Sequence, residues 1–338
     1  MSVSAGDHHQ WTSTDIKSLP NPISASASPL PAEFHWYVRR RIVPIAQPFV
    51  IGILNVTPDS FSDGGRFNKL EPAIAQVRAM VEEGADGIDV GGESTRPQGA
   101  SPVSAEQELQ RVMPVVSAIR TTFPDVLLSI DTTKAAVASA ALDAGADVIN
   151  DVSGFRIDPR VGEIAAARDA GVVLMHSRGG VAEMGTYRFA EYGNDVVGEV
   201  IGELTEAVHR AIATGVAREA IVIDPGIGFA KRSEHSLRIL AELHRVSALG
   251  FPVMVGVSRK RFVGELSRVH SAADRIAGTV GANVAALLKG ARLFRVHDVA
   301  PNRQALDVAW GIVQAGGVRR SDGDVKGPDS RFPIPDSR

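Results

Sequence analysis

The sequence predicts an α/β protein of the (β/α)8 TIM-barrel class, folded as a single domain. Short apolar runs alternate along the chain with longer stretches rich in Ala, Leu and Glu. Eight such strand-then-helix units occupy about 250 residues, the usual size of this barrel. The runs are continuously apolar, which indicates strands buried on both faces, as in a parallel sheet. A doubly wound sheet is the alternative, although it seldom contains eight consecutive units.

The predicted strands are FVIGILNV (49–56), GIDVG (87–91), LLSID (127–131), VIND (148–151), VVLMH (172–176), IVIDP (221–225), VMVGVS (253–258) and LFRVHD (293–298). Helical patterns lie between them, for example PAIAQVRAMVEEG (72–84) and AAVASAALDAGAD (135–147). Gly145, near the end of the second pattern, suits the C′ position of a helix. Upstream, WYVRRRIVPIAQ (36–47) alternates loosely and predicts a hairpin that covers the N-terminal mouth of the barrel.

Composition sets the predicted domain boundaries. Residues 1–33 are rich in Ser, Pro and Ala without periodicity, which predicts a disordered extension. Residues 34–317 are uniform in composition and are predicted to form the catalytic barrel domain. Residues 318–338 are rich in Pro, Gly and Asp and are predicted to be a disordered tail.

Charge and residue usage exclude several classes of function. The net charge of −3 argues against a nucleic-acid or membrane-surface role, which needs a large basic field. The absence of cysteine excludes disulfides and thiolate metal sites. No charge-free apolar run approaches the ~18–20 residues of a transmembrane helix. Asp7, His8 and His9 stand where a signal peptide would need a basic start and an apolar stretch. We therefore expect a cytoplasmic enzyme.

Polar residues are concentrated where the predicted strands end. They are Asn55, Glu93, Asp131, Asn150, Asp151, His176, Asp224, Ser258, Lys260, Arg295 and His297. The active site of a TIM barrel lies at the C-terminal ends of its strands. A buried polar group without a partner costs roughly 1–3 kcal/mol, so a purely structural origin for so many is hard to defend. The sequence therefore predicts an active site at this mouth.

Two segments, GILNVTPDSFSDGG (52–65) and GGESTRP (91–97), resemble the signature stretches of the dihydropteroate synthase family. The resemblance continues in order through SIDT, INDV, LMH, DPGIGF, GVSRK and RVHD, from about residue 49 to 315. It implies a transferase of folate biosynthesis that joins 7,8-dihydropterin-6-ylmethyl pyrophosphate to p-aminobenzoate, with Mg²⁺ assisting the release of pyrophosphate. It also implies a homodimer through outer helices late in the barrel, where AGTVGANVAALLKG (277–290) could supply a face.

Residue roles follow from the resemblance, motif by motif. The pterin would be held by Asp131, Asn150, Asp224 and Lys260, of which Asp131, Asp224 and Lys260 are also the candidate catalytic residues. Phe229 would line the pterin slot, and Gly256 is a further candidate substrate-binding residue. Arg295 and His297 would grip the pyrophosphate together with Asn55, the protein ligand of Mg²⁺. The p-aminobenzoate pocket would be framed by Phe61, Thr95, Arg96, Pro97 and Ser258.

The residues themselves support these roles to different degrees. Carboxylates can accept two N–H bonds from the edge of a pterin, although Asp131 and Asp224 could instead cap helices. Arg295 and His297 alternate on the last strand and so point the same way, as an anion grip requires. Asn55 could equally be a turn residue. Lys260 lies between two arginines and is expected to be solvated, which argues against a Schiff-base aldolase.

Two other readings remain open at this point: a pterin-dependent methyltransferase domain and a catalytically silent pterin-binding paralogue. The chain departs from the family pattern at Ser177, where a Met ordinarily packs against the pterin face, and it carries an extra residue near Gln98. GIG (226–228) only weakly resembles a dinucleotide fingerprint, because Lys231 occupies the position of the third glycine.

Overall fold

The computed structural model describes residues 34–39, 41–56, 70–93 and 103–317. The two termini expected to be disordered, 1–33 and 318–338, lie outside this range. The same holds for four residues expected in the p-aminobenzoate pocket, namely Phe61, Thr95, Arg96 and Pro97.

Eight parallel strands form the barrel, as predicted. They are β3 (Phe49–Asn55), β4 (Gly87–Gly91), β5 (Leu127–Asp131), β6 (Val148–Asp151), β7 (Gly171–Met175), β8 (Ile221–Asp224), β9 (Met254–Val255) and β10 (Leu293–Val296). Their order is β8-β7-β6-β5-β4-β3-β10-β9. A parallel bridge between Ile223 and Val253 joins the two outermost strands. The Ile223 N–H also donates to Pro252 O at 3.0 Å, which closes the cylinder.

Helices follow the strands and cover the outside of the barrel. They are α1 (Leu70–Glu82), α2 (Ala105–Thr122), α3 (Ala135–Asp143), α4 (Arg160–Ala167), α5 (Val181–Met184), α6 (Val196–Ala213), α7 (Ser233–Ala241), α8 (Leu243–Ser247), α9 (Arg261–Ser267), α10 (Ile276–Leu288) and α11 (Val299–Gly317). Gly145 follows the Ala144 C-cap of α3 with φ +103°, so the predicted C′ glycine is confirmed. Within the described residues, no helix is long and apolar enough to cross a membrane.

The predicted N-terminal hairpin is also confirmed. Strands β1 (Phe34–Val38) and β2 (Arg41–Ile45) pair antiparallel. Trp36 is fully buried, packs with the inward-facing apolar residues at the base of the barrel, and donates its Nε1–H to Ala220 O at 2.8 Å. The hairpin therefore plugs the N-terminal mouth and leaves the opposite mouth for ligands.

The two-residue period of the strands decides which side chains reach that mouth. On β4, Ile88 and Val90 pack outward against the helices, so Asp89 between them faces the barrel interior. On β10, Phe294 and Val296 pack outward and Arg295 faces inward. The same alternation turns Asn55, Asp131, Asn150 and Asp224 inward at the ends of their strands.

One predicted strand is shorter than expected. The run VMVGVS (253–258) pairs within the sheet only over Met254–Val255. Beyond it the Lys260 N–H donates to Val257 O at 3.2 Å, and Arg259 takes the left-handed conformation with φ +58°. The chain thus turns before Lys260, and that turn carries Ser258 and Lys260 over the mouth.

Candidate active site

Arg295 is the centre of a charged network at the mouth. Its Nε–H donates to Asp89 Oδ2 at 2.6 Å, and its Nη2 donates to Asp131 Oδ2 at 2.8 Å. Asn150 Nδ2 donates to the same Asp89 oxygen at 3.0 Å. Four strands, β10, β4, β5 and β6, thereby hold one another's polar groups in place. Charge-assisted bonds of this kind are short and strong, so they orient the network firmly.

Asp131 stands at the open end of this network. Burial raises the pKa of its carboxyl to about 7; Arg295 acts against that shift, and Asp89, Glu108 and Asp151 add to it. Asp131 makes no capping bond to α3, whose N-cap residue is Lys134 and has no side-chain cap. The helix-capping alternative is therefore not observed for Asp131.

Asp224 is buried, and one of its oxygens is already used. Its Oδ1 accepts the Gly226 N–H at 2.7 Å, so one of the two carboxylate oxygens caps the local turn. Gly226 has φ +67°, and a Cβ there would lie 1.9 Å from His176 O, so only glycine fits this turn. Burial raises the pKa of Asp224 to about 6, while the Gly226 bond, Lys260 and Lys231 act to lower it. The other oxygen, Oδ2, faces the side of Gly256, 4.0 Å from where a Cβ would lie.

Lys260 corrects an expectation from the sequence. Its ammonium lies 3.8 Å from the centroid of the Phe229 ring, and the side chain is not freely solvated. Burial and the charge of Arg295 lower its pKa to about 8, while Asp224 and Asp131 act in the opposite direction. The inference that its basic neighbours keep it in water was wrong because both turn away. Arg259 pairs with Asp298, and Arg261 stacks on Tyr187.

Ser258 and His297 form a second polar pair beside the network. The His297 backbone N–H donates to Ser258 Oγ at 3.1 Å, and the Ser258 hydroxyl lies 3.0 Å from His297 Nδ1. A hydroxyl that accepts from the backbone can donate to Nδ1, which places the imidazole proton on Nε2. His297 follows the last residue of β10, and Arg295 lies within it.

Asn55 is the candidate metal ligand. It ends β3 and is partly buried; its Oδ1 and Asp131 Oδ2 both lie within 4 Å of where a Cβ on Gly91 would be. The amide oxygen of Asn55 is a hard donor of the kind that Mg²⁺ prefers, whereas Asp131 Oδ2 already accepts from Arg295. Among the described residues, no group of three His, Asp or Glu side chains could hold a metal ion alone. A metal here would need oxygen atoms from substrate and water, which Mg²⁺ commonly accepts.

Several strand-end residues serve the framework instead. Glu93 and Glu108 both accept from Lys134 Nζ at 2.6 Å. Asp151 Oδ1 accepts from the backbone and the hydroxyl of Ser153, both at 2.7 Å. His176 bonds to Glu203 and Lys231, away from the slot.

Two residues of the site were missed by sequence reasoning. Asp89 is 1 % exposed and holds both Arg295 and Asn150; a charged residue inside the apolar run GIDVG was the signal for it. Lys231 is 2 % exposed and lies beneath the slot. The sequence singled it out only because it occupies the position of the third glycine in a dinucleotide fingerprint.

Ser177, which stands where the family pattern has Met, does not leave an empty space in the structure. Its hydroxyl donates to Val152 O at 2.6 Å, and the residue is buried. Val152, Met175 and Met184 form a small apolar cluster against which Phe229 packs. The space beside Phe229 is therefore filled by other side chains, among them Met184.

A parallel barrel with carboxylates, an amide and partly buried cations at its C-terminal mouth has the architecture of a pterin-binding enzyme. The family model described as pterin binding enzyme matches residues 51–297. The dihydropteroate synthase of Synechocystis sp. is 45 % identical over 261 residues, 77 % of this chain and 89 % of that protein. The chain belongs to the dihydropteroate synthase family.

Solved structures agree with this assignment. The Xanthomonas albilineans dihydropteroate synthase with 4-aminobenzoic acid superposes with a TM-score of 0.77 at 43 % identity, over 84 % of this chain and 99 % of that one. A structure of the enzyme from the same organism in complex with 7,8-dihydropteroate gives a TM-score of 0.72 at 42 % identity, over 81 % and 97 %.

Proposed function

We propose that the C-terminal mouth binds the pterin through Asp131, Asn150 and Asp224 and carries out the family's reaction there. The activity is that of a dihydropteroate synthase, a transferase of an alkyl group. The observation that carries the proposed site is the convergence of acceptors from β5, β6 and β8 on one polar pocket. Asp131 and Asn150 are opposite each other in the β5–β6 register, and all three side chains follow inward-facing residues to the same end of the barrel.

Recognition of the pterin rests on unused acceptors. Asn150 Oδ1 is buried without a hydrogen-bond partner among the described residues, and one oxygen each of Asp131 and Asp224 faces the slot. An aminopyrimidinone edge presents adjacent N–H donors to such acceptors. A heterocycle that lacks those donors would leave buried acceptors unpaired, which is how polar sites reject analogues. Phe229 supplies a flat apolar face, and Lys260 adds a donor above it.

The pyrophosphate is assigned to the β10 side of the mouth. We infer that His297 donates from Nε2 and that Arg295 adds its remaining N–H groups. Arg295 keeps its charge because burial, which lowers its pKa, is outweighed by Asp89 and Asp131. Fixed positive charge near the leaving group stabilises the pyrophosphate as the bond to the methylene carbon breaks.

Magnesium belongs to this proposal through Asn55. The amide oxygen of Asn55 is the described group that would face it. When bound, Mg²⁺ would neutralise charge on the departing pyrophosphate.

The second substrate of the proposed reaction is p-aminobenzoate. We infer that Phe61, Thr95, Arg96, Pro97 and Ser258 frame p-aminobenzoate, whose amine attacks the methylene carbon. The carbon–oxygen bond to pyrophosphate breaks, a carbon–nitrogen bond forms, and the amine loses one proton.

The direct test combines purified protein, the pterin pyrophosphate, p-aminobenzoate and Mg²⁺. We expect equimolar formation of 7,8-dihydropteroate, measured by chromatography, and of pyrophosphate, measured by phosphate release after added pyrophosphatase. Pterin binding without any product would instead support the silent paralogue.

The proposal also covers organisation. We propose that residues 34–317 act as one catalytic domain in the cytoplasm and that two copies associate through the late outer helices. Supporting the association, α10 and α11 pack together and expose Leu288, Val308 and Ile312 at 58 %, 61 % and 69 %. Exposed large apolar residues on two packed helices are a feature that an interface would cover.

A further inference from the structure

Lys231 is a fully buried ammonium that the proposed chemistry does not use. Its Nζ lies 2.7 Å from His176 Nδ1 and donates to Phe229 O at 3.0 Å, and His176 O is 3.5 Å away. Burying a charged amine is costly unless its donors are satisfied. Three acceptors around one ammonium show that the fold has built a place for it.

His176 connects this ammonium to a carboxylate. Its Nε2 lies 3.1 Å from Glu203 Oε2, while its Nδ1 faces Lys231. Burial, followed by the charge of Lys231, lowers the pKa of His176 to about 4, so the ring is neutral at pH 7. The consistent arrangement has the Nε2 proton donated to Glu203 and Nδ1 accepting from the ammonium. Arg178 in turn donates its Nε–H to Glu203 Oε1 at 2.9 Å.

Beside Lys231, the loop from Pro225 to Ala230 contains three residues with positive φ, and one of them is not glycine. Gly226, Gly228 and Ala230 all have positive φ, at +67°, +79° and +47°. A left-handed alanine is strained and persists only where its surroundings hold it. The Ala230 N–H donates to Met184 O at 2.6 Å, and Lys231 bonds to Phe229 O in the same loop. Both ends of the loop contact the pterin slot, because Asp224 precedes it and Phe229 lies within it.

We propose that Lys231 is a positioning residue for the pterin slot: its buried ammonium, oriented by His176 and Glu203, holds the loop that presents Phe229 and supplies positive charge beside Asp224. This inference rests on the proposed function, since it assumes that the slot binds a pterin. It assigns Lys231 an action through Asp224 and Phe229 and no contact with the reacting atoms.

Several elements bring titratable groups to Lys231, among them His176 after β7 and His235 on α7, whose pKa values are lowered by burial and further by the Lys231 charge. Asp224 on β8 and Glu203 on α6 favour its ammonium form, while Arg178 and Lys260 disfavour it. Burial is the largest effect and lowers the pKa of Lys231 to about 7. The ammonium is thus present below about pH 7 and is lost above it.

The test compares Lys231→Met, Glu203→Gln and the matched control Lys289→Met, which lies after α10. The dissociation constant of the pterin pyrophosphate is measured by calorimetry from pH 5.5 to 9, together with kcat and KM. In Lys231→Met we expect weaker binding by about tenfold at pH 7. In the plot of binding affinity against pH, the fall on the acid side should move up by about one pH unit or more, because Asp224 loses a neighbouring cation and its pKa rises.

Glu203→Gln should keep the fold. The fall of affinity on the alkaline side should move to lower pH, because Lys231 then loses its proton more easily. This variant keeps the test decisive if Lys231→Met unfolds, which circular dichroism would show. Lys289→Met should match the wild type. Unchanged profiles, or a uniform loss of affinity without a shift in either variant, would overturn the inference. A wild type that binds no pterin would instead refute the proposed function.

Discussion

Arg295 donates its Nε–H to Asp89 at 2.6 Å, joining β10 to β4 inside the barrel mouth. The carboxylate is 1 % exposed, and its side chain was not among the residues expected at the site. It fixes the guanidinium on one side, so that the other side can meet Asp131 and a substrate. We therefore regard Asp89 as the residue that orients the candidate pyrophosphate-binding cation.

Asp89→Asn should lower both stability and activity. The substitution keeps the shape and removes the charge that compensates Arg295, and breaking a buried pair in this way costs about 3 kcal/mol at the low end of the known range. The low end applies because Arg295 keeps Asp131 and some solvent contact. Urea denaturation measures the loss. As a matched control, Asp307→Asn breaks an exposed pair with Arg303 and should cost below about 0.5 kcal/mol. Equal losses in the two variants would contradict the assignment.

Asp224→Asn should abolish turnover while it stabilises the fold above neutral pH. The folded-state pKa is raised from 3.8 to about 6 by burial, so the folded protein retains a proton between about pH 4 and pH 6 that the unfolded chain releases. The wild type therefore loses stability as pH rises through this window. The variant should be more stable by about 2 to 3 kcal/mol at pH 8 and gain little at pH 4.

The control for this sign is Asp143→Asn. The Arg168 hydrogen bond lowers the pKa of the exposed Asp143 carboxyl, so its removal should slightly destabilise the protein at pH 8. Thermal denaturation at pH 4, 6 and 8 checks both variants. An Asp224→Asn variant that is less stable than the wild type at pH 8 would show that the carboxylate is mainly structural.

Lys260→Met should weaken pterin binding without covalent consequences. The ammonium above Phe229 would donate to the pterin, and the loss of one such charge-assisted bond, roughly 1.5 kcal/mol, corresponds to about a tenfold rise in the dissociation constant. Because burial lowers the pKa of Lys260 to about 8, part of the amine is neutral near that pH, and the aldolase alternative deserves a chemical test. Borohydride with substrate should leave the mass of the wild type unchanged. A substrate-dependent mass increase at Lys260 would refute the binding role.

Asn55→Ala should raise the Mg²⁺ concentration needed for half-maximal activity and leave pterin binding without metal unchanged. Only one protein oxygen would be removed from the ion, and the pterin acceptors lie on other strands. Calorimetric titration in the presence of a chelator measures the binding. Wild-type turnover that persists under the same chelation would rule out the metal proposal.

Val308→Glu and Ile312→Glu should each convert the protein to a monomer. The two residues are four positions apart on α11 and therefore share an exposed face. Sedimentation velocity measures the mass of the particle. Ile42→Glu, on the equally exposed edge of the hairpin, is the control and should stay dimeric. A wild type that sediments as a monomer would remove the basis for the proposal.

The sequence by itself determined the strands, their parallel arrangement and the end of the barrel that carries the site. These follow from local rules, because continuous apolar runs and a two-residue period place inward polar groups at strand ends. Asp131, Asn150 and Asp224 were found in this way. The hairpin plug was found from alternation alone.

The tertiary structure decided which polar groups meet and how solvent reaches them. The sequence predicted a solvated Lys260 because it lies between two arginines. In the structure Arg259 pairs with Asp298, which is distant in sequence, and Lys260 packs against the Phe229 ring. Ser177 looked like a lost contact, yet its hydroxyl bonds to Val152 O. Asp89 and Lys231 acquire their roles only from partners brought near by barrel closure. Burial and pairing depend on such distant neighbours, which no local pattern in the chain encodes.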